Sequence, residues 1–152
     1  MKPITPPDPA RAALTLDGRR LSYLDSGGPG HPLLALHGHF SARAAPSPPL
    51  AQALLPRWRV VAPDRRAYGF SDRGPDFSRE GCIADATALL THLGLERPVV
   101  LGHSLGGVNA YQLATRHPGL LRALVIEGHT VHETTPDGFA ATVSAFLDTL
   151  KG

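Results

Sequence analysis

The stretch Pro98-Val99-Val100-Leu101-Gly102-His103-Ser104-Leu105-Gly106-Gly107 constrains this chain more than any other. An apolar, β-prone run leads into a turn bracketed by glycines, and Leu105 to His117 then reads as helix. The order is strand, tight turn, helix, and that context gives the Gly-x-Ser-x-Gly pattern its meaning as a nucleophile elbow. Such a turn strains the backbone of Ser104 and lifts its hydroxyl clear of the sheet, at the carboxyl edge of parallel strands. Gly102 and Gly106 are needed because a Cβ at either place would collide with the neighbouring strand or helix. The helix behind Ser104 aims amides and the positive end of its dipole at developing negative charge. A glycine-rich turn without chemistry is the competing reading, and the strand–helix context weighs against it.

The remaining chain supplies a sheet for this turn. Residues 1–11 are proline-rich and read as an irregular arm. Ala12 to Leu16 and Arg20 to Leu24 flank Asp17-Gly18, a strong hairpin signal. Pro32 to Leu36 is continuously apolar, as expected of a strand covered on both faces, and it ends at His37-Gly38-His39-Phe40. A short helix is expected from Leu50 to Leu55, then a strand Trp58 to Ala62 closing on Pro63-Asp64-Arg65-Arg66. Ser78 caps a helix with Cys82, Ile83, Ala86, Leu89, Leu90 and Leu93 at helical spacing and Gly94 as the stop. In the helix after Ser104, polar Asn109, Gln112 and Arg116 share one face, and small Gly106, Ala110 and Ala114 lie near the other. Arg122 to Ile126 is a further strand. The last helix opens at Thr135-Pro136-Asp137, with Phe139, Val143, Phe146, Leu147 and Leu150 as its buried stripe. Strands alternating with helices after a hairpin specify an α/β protein, its sheet of about six strands mostly parallel with an N-terminal antiparallel hairpin and flanking helices.

Charge and cysteine usage narrow the partners. Fifteen basic against thirteen acidic residues leave a net charge of +2, and the basic residues are scattered, so no stripe suggests nucleic acid. The one cysteine, Cys82, rules out an internal disulfide and reads as a buried structural thiol. The first nine residues lack the apolar core of a signal peptide, and no apolar run reaches the roughly 18 residues of a membrane span. The cytoplasm is therefore the expected location.

A serine hydroxyl is a poor nucleophile unless a base takes its proton, and the tetrahedral intermediate needs donors aimed at its oxygen. The amide of Leu105 is one such donor. The second is expected from the loop after strand 32–36, where Gly38 allows His39 to turn its amide inward; an ordinary strand-end turn is the alternative there. Taken together, His37-Gly38, the run Asp64 to Asp72, Gly102 to Gly107, and Gly128-His129-Thr130-Val131-His132-Glu133 before the final helix resemble the α/β-hydrolase superfamily. The resemblance covers the chain from about Leu14 onward, with Ala67 where the family usually has glycine. Members are usually longer. Between the strand ending at Ile126 and the histidine segment they carry a cap, a strand bearing the triad acid and a final strand. Here Ile126-Glu127 runs straight into Gly128-His129. The expectation is thus one hydrolase-like domain over residues 12–152 after the arm, shortened internally near 127–128 and lacking the cap and the last two strands.

The resemblance implies Ser104 as nucleophile and His129 as base, with His132 the rival base. Glu127 is the leading acid, since the end of this strand is an alternative acid position in the superfamily; a surface carboxylate is its other reading, and Glu133 ranks behind. His103 is read as packing, His37 and His39 as orienting their loop, and His31, His92 and His117 as facing solvent. These roles describe a carboxylesterase-like serine hydrolase of small carboxylic esters or related acyl compounds, working through an acyl-enzyme, its activity weak or lost. The alternative is a catalytically inactive remnant that binds a partner. Serine at the elbow argues against haloalkane dehalogenase or epoxide hydrolase chemistry, which in this superfamily uses aspartate there. A nucleotide-binding domain is disfavoured, because Gly102-x-x-x-Gly106-Gly107 does not match the Gly-x-Gly-x-x-Gly spacing. No cofactor or metal is called for, and the expected partner is a small acyl substrate, neither nucleic acid nor membrane. The uncharged run Ala123-Leu124-Val125-Ile126 at a sheet edge invites a homodimer.

Overall fold

The hairpin forms because Asp17 and Gly18 both adopt left-handed backbone, φ +50° and +75°, which a two-residue turn matched to strand twist requires. In the computed structural model, which describes residues 10–38, 50, 53–55, 57–74, 76–128 and 136–150, strands β1 (Ala10–Leu16) and β2 (Arg19–Asp25) pair antiparallel across it. The first strand starts at Ala10, inside the stretch read as an irregular arm. Strands β3 (His31–Leu36), β4 (Trp58–Pro63), β5 (Val99–His103) and β6 (Ala123–Glu127) run parallel, and the sheet order is β1-β2-β4-β3-β5-β6. The hairpin joins through β2, antiparallel to β4 with Tyr23 opposite Pro63. Central β3 is buried from Leu33 to Leu36, which is why its sequence is apolar without alternation.

Two layers of helix cover that sheet. One face packs against α1 (Arg79–His92) and α2 (Leu105–Arg116): Ile83, Ala86, Leu89, Leu90, Ala110 and Leu113 meet Leu34, Leu36, Val61 and Val100. On the other, Ala140, Val143 and Leu147 of α3 (Pro136–Thr149), with Leu50 and Leu54, meet Leu33, Ala35, Val60 and Leu101. Phe146, counted in the buried stripe from sequence, is instead 41% exposed, because the buried positions step from 140 to 143 to 147 and leave it on the rim. Ser78 caps α1 by accepting from the Gly81 amide (3.1 Å), and Gly94 ends it at φ +61° with Leu95 N–H returning to Leu90 O (3.0 Å). Buried Asp85 on α1 accepts from Arg19 (2.5 Å) and Arg66 (2.8 Å), tying the hairpin and the loop after β4 to this helix. No helix among the described residues is long and apolar enough to cross a membrane.

Candidate active site

Ser104 stands between β5 and α2 with φ +52° and ψ −118°, a conformation that a residue with a side chain adopts only where its surroundings impose it. Those surroundings are specific. The Ser104 amide donates to the Glu127 carbonyl of β6 (3.1 Å), and the Ser104 carbonyl accepts from Gly107 (2.9 Å) and Val108 (3.2 Å) in the first turn of α2. A Cβ on Gly102 would lie 2.6 Å from both the Gly106 carbonyl oxygen and the Gly107 Cα; one on Gly106 would enter the Leu36 carbonyl of β3. The two glycines therefore have the roles the sequence assigns them. Leu105 opens α2, so its amide belongs to the first turn, whose donors have no intrahelical acceptor.

The opposite wall of the site is the loop after β3. Gly38 lies against Ser104: a Cβ there would be 3.1 Å from the Ser104 Cβ and 2.9 Å from His103 Nδ1. Its position is set by His37, which is buried and packed edge-on to Tyr68, ring centroids 5.3 Å apart. The Arg65 amide donates to His37 Nε2 (2.9 Å), so the ring hydrogen sits on Nδ1 and donates to the Gly38 carbonyl (2.8 Å). Burial pushes the His37 pKa below its ordinary value, and the Arg65 charge adds to that, which keeps the ring in the neutral form this bridge requires. The loop-orienting role read for His37 is thus a pair of hydrogen bonds.

Beneath this bridge sits Asp64, 0% exposed, accepting from Arg11 Nη1 (2.6 Å) and the Phe70 amide (3.0 Å). Gly69, at φ +53°, packs directly on its carboxylate. Ala67 takes φ +66°, which explains why glycine is usual at this place in the family the sequence resembles.

Glu127 ends β6 in register with His103 of β5 and is only 7% exposed, so the surface-carboxylate reading is overturned. His31, His92 and His117 face solvent, and His103 is half-buried. His39, His129, His132 and Glu133 lie outside the described residues. The structure therefore brings together Ser104, Leu105, Gly38, His37 and Glu127, while the base and the second oxyanion amide remain expectations from sequence.

A model of the alpha/beta hydrolase fold family matches residues 31–151. The chain belongs to this family. This hydrolase-family chain is 35% identical over 121 residues to the sn-1-specific diacylglycerol lipase ABHD11 of Mus musculus, covering 78% of the chain and 38% of that protein. It is 33% identical over 140 residues to a 2-hydroxymuconate semialdehyde hydrolase of Pseudomonas putida, covering 89% of the chain and 46% of the relative. Among solved structures, the epoxide hydrolase CorEH superposes with a TM-score of 0.71 at 30% identity, over 77% of this chain and 41% of that one. The chain thus spans less than half the length of each of these hydrolases, and its fold is a shortened form of theirs.

Two groups at the site escaped the sequence reading. Asp64 belongs to a motif to which the sequence assigns no role, although a carboxylate directly after an apolar strand and before glycine-containing turns is a signal for a loop-bracing acid. Asn109, on a polar face of α2 by sequence spacing, is instead 5% exposed, because α1 packs beside α2 on the same face of the sheet and covers it.

Proposed function

We propose that this chain is a serine hydrolase of small carboxylic esters or related acyl compounds. The observation that carries the reading is the strained Ser104 at the start of α2, clamped by β6 and faced by Gly38. In this mechanism the Ser104 oxygen attacks the acyl carbonyl while His129 takes its proton. The oxyanion accepts from the amides of Leu105 and His39, and collapse expels the alcohol with the proton returned from His129. Water then hydrolyses the acyl-enzyme by the same route. Glu127 is the proposed acid: its burial at the end of β6, two residues before His129, favours a role in orienting that ring over a solvated one. The related proteins named as epoxide hydrolases do not redirect this reading, since the elbow residue here is serine. A domain shortened near residues 127–128 retains little to shape a pocket, so activity is expected to be weak. A Ser–His pair without a well-placed acid loses about 10⁴ in kcat.

Coverage of less than half of each named relative favours a second reading, a non-catalytic remnant that binds a partner. A fluorophosphonate probe followed by intact mass separates the two. The hydrolase reading expects one adduct on the wild-type chain, none on Ser104→Ala, and slow turnover of short p-nitrophenyl esters that disappears in Ser104→Ala and His129→Ala. Undiminished labelling of Ser104→Ala, or a wild-type chain that never labels, overturns it.

A further inference from the structure

Between the loop after β4 and the helices α1 and α2 lies a small cavity of about 20 Å³, with Leu21, Leu36, Arg65, Cys82, Asp85 and Asn109 among the residues on its walls. That exceeds the roughly 10–15 Å³ one water needs and falls far short of a small-molecule pocket. Two of these residues each carry a buried polar atom, Arg65 Nε and Asn109 Oδ1, that has no hydrogen-bond partner among the described residues. They are complementary in kind: the guanidinium Nε–H is a donor and the amide oxygen an acceptor. Buried polar atoms in folded proteins are almost always satisfied by protein or by ordered water.

We infer that this cavity is a binding site for one water molecule, which accepts from Arg65 Nε–H and donates to Asn109 Oδ1. A buried water makes about three hydrogen bonds, and the Asp85 carboxylate and Cys82 thiol on the same wall offer further partners. The position gives the water a task. The backbone amide of Arg65 holds His37, which fixes Gly38 against Ser104, while Asn109 sits in the second turn of the helix that Ser104 opens. The bridged water therefore joins the two walls of the candidate oxyanion hole, and Asn109 is a positioning residue for it. This second part rests on the serine-hydrolase reading; the water site itself does not.

The test compares crystal structures of the full chain, wild type, Asn109→Leu and Asn109→Asp, at a resolution that orders individual waters, with fluorophosphonate labelling rates of the same proteins. Expected are a density peak within about 3.2 Å of both Arg65 Nε and residue 109 Oδ1 in the wild type and in Asn109→Asp, and none in Asn109→Leu. The labelling rate should fall about tenfold in Asn109→Leu, a partial version of the roughly hundredfold cost of a 1 Å misplacement, and recover in Asn109→Asp. A wild-type map without the bridging peak overturns the site whatever the labelling shows. Should Asn109→Leu fail to fold, the wild-type and Asn109→Asp maps and rates still decide. If the water is present but Asn109→Leu labels at the wild-type rate, or Asn109→Asp alone loses it, the positioning role is overturned and the water site stands. A wild-type chain that never labels removes the hydrolase reading and leaves the density to decide the site.

Discussion

Asp64→Ala is the substitution for which the structure supplies the clearest magnitude. The carboxylate is wholly buried and accepts from Arg11 Nη1 at 2.6 Å and from the Phe70 amide at 3.0 Å. Hydrogen bonds to a charged group contribute about 1.5–3 kcal/mol each, and removing one partner of a buried pair costs about 3–5 kcal/mol. The Arg11 side chain is 25% exposed and can rehydrate, which places the expected loss near the lower end, at about 3 kcal/mol. For a chain of this size that corresponds to a melting temperature lower by about 6–12 °C. Trp58, the only tryptophan, is 2% exposed on the strand leading to Asp64, so urea unfolding followed by its fluorescence reports directly. Arg11→Met removes the guanidinium that bonds Asp64 and stacks over Phe70 (4.4 Å to the ring centroid), which leaves a wholly buried carboxylate without its cation, and should cost about 3–5 kcal/mol, with the double variant showing a coupling of about 1 kcal/mol or more. A loss below about 1 kcal/mol for Asp64→Ala, or single effects that add within about 0.5 kcal/mol, would refute the pairing.

Three further outcomes are expected. His37 is held neutral by burial, so the folded chain binds its proton only below the ordinary value of about 6.5; the stability it contributes is complete above that pH and declines as pH falls through the lowered folded value. The urea midpoint of the wild type should drop on acidification below about 6.5, and an equal drop in His37→Gln would sink the assignment. Ala67→Gly relieves a left-handed alanine worth about 1–2 kcal/mol and returns about 0.4–1 kcal/mol to the unfolded chain, so the variant should be about 0.5–1 kcal/mol more stable in the same assay; a less stable variant contradicts this. Among the described residues β6 pairs only with β5, and Ile126 on it is 53% exposed; light scattering at high concentration should show a dimer that Ile126→Lys dissolves, and a monomeric wild type would count against edge pairing.

What the sequence made legible is local. The Asp17-Gly18 turn, the Ser78 cap with its Gly94 stop, and Gly102 against the first turn of α2 each solve a steric or hydrogen-bonding problem within a few residues, while Gly106 is marked by the local motif although the carbonyl it clears is Leu36 of β3. The long-range arrangements were not readable. That the hairpin docks on β4, or that Asp85 collects two guanidinium groups from Arg19 and Arg66, depends on partners far apart in the chain, and no periodicity encodes such pairings. Asn109 shows the same limit on a helix: spacing assigns it a face, but only the packing of α1 beside α2 decides that the face is covered. Glu127 carries two readings in the sequence because a strand end is exposed or buried according to what lies beside it, and here it is buried.

The bond from the Ser104 amide to the Glu127 carbonyl has a consequence for biosynthesis. Every residue of the elbow leaves the ribosome before β6 does, yet the left-handed backbone of Ser104 persists only when its surroundings over-determine it. Pairing of β5 with β6 is parallel and requires the intervening helix to fold back first, a non-local and therefore slow event. A nascent chain would carry the complete motif while its serine remained an ordinary hydroxyl. On the proposed serine-hydrolase reading, nucleophilicity would arrive only when β6 docks, making it a late chemical marker of finished folding and sparing the emerging polypeptide a reactive group before its surroundings are built.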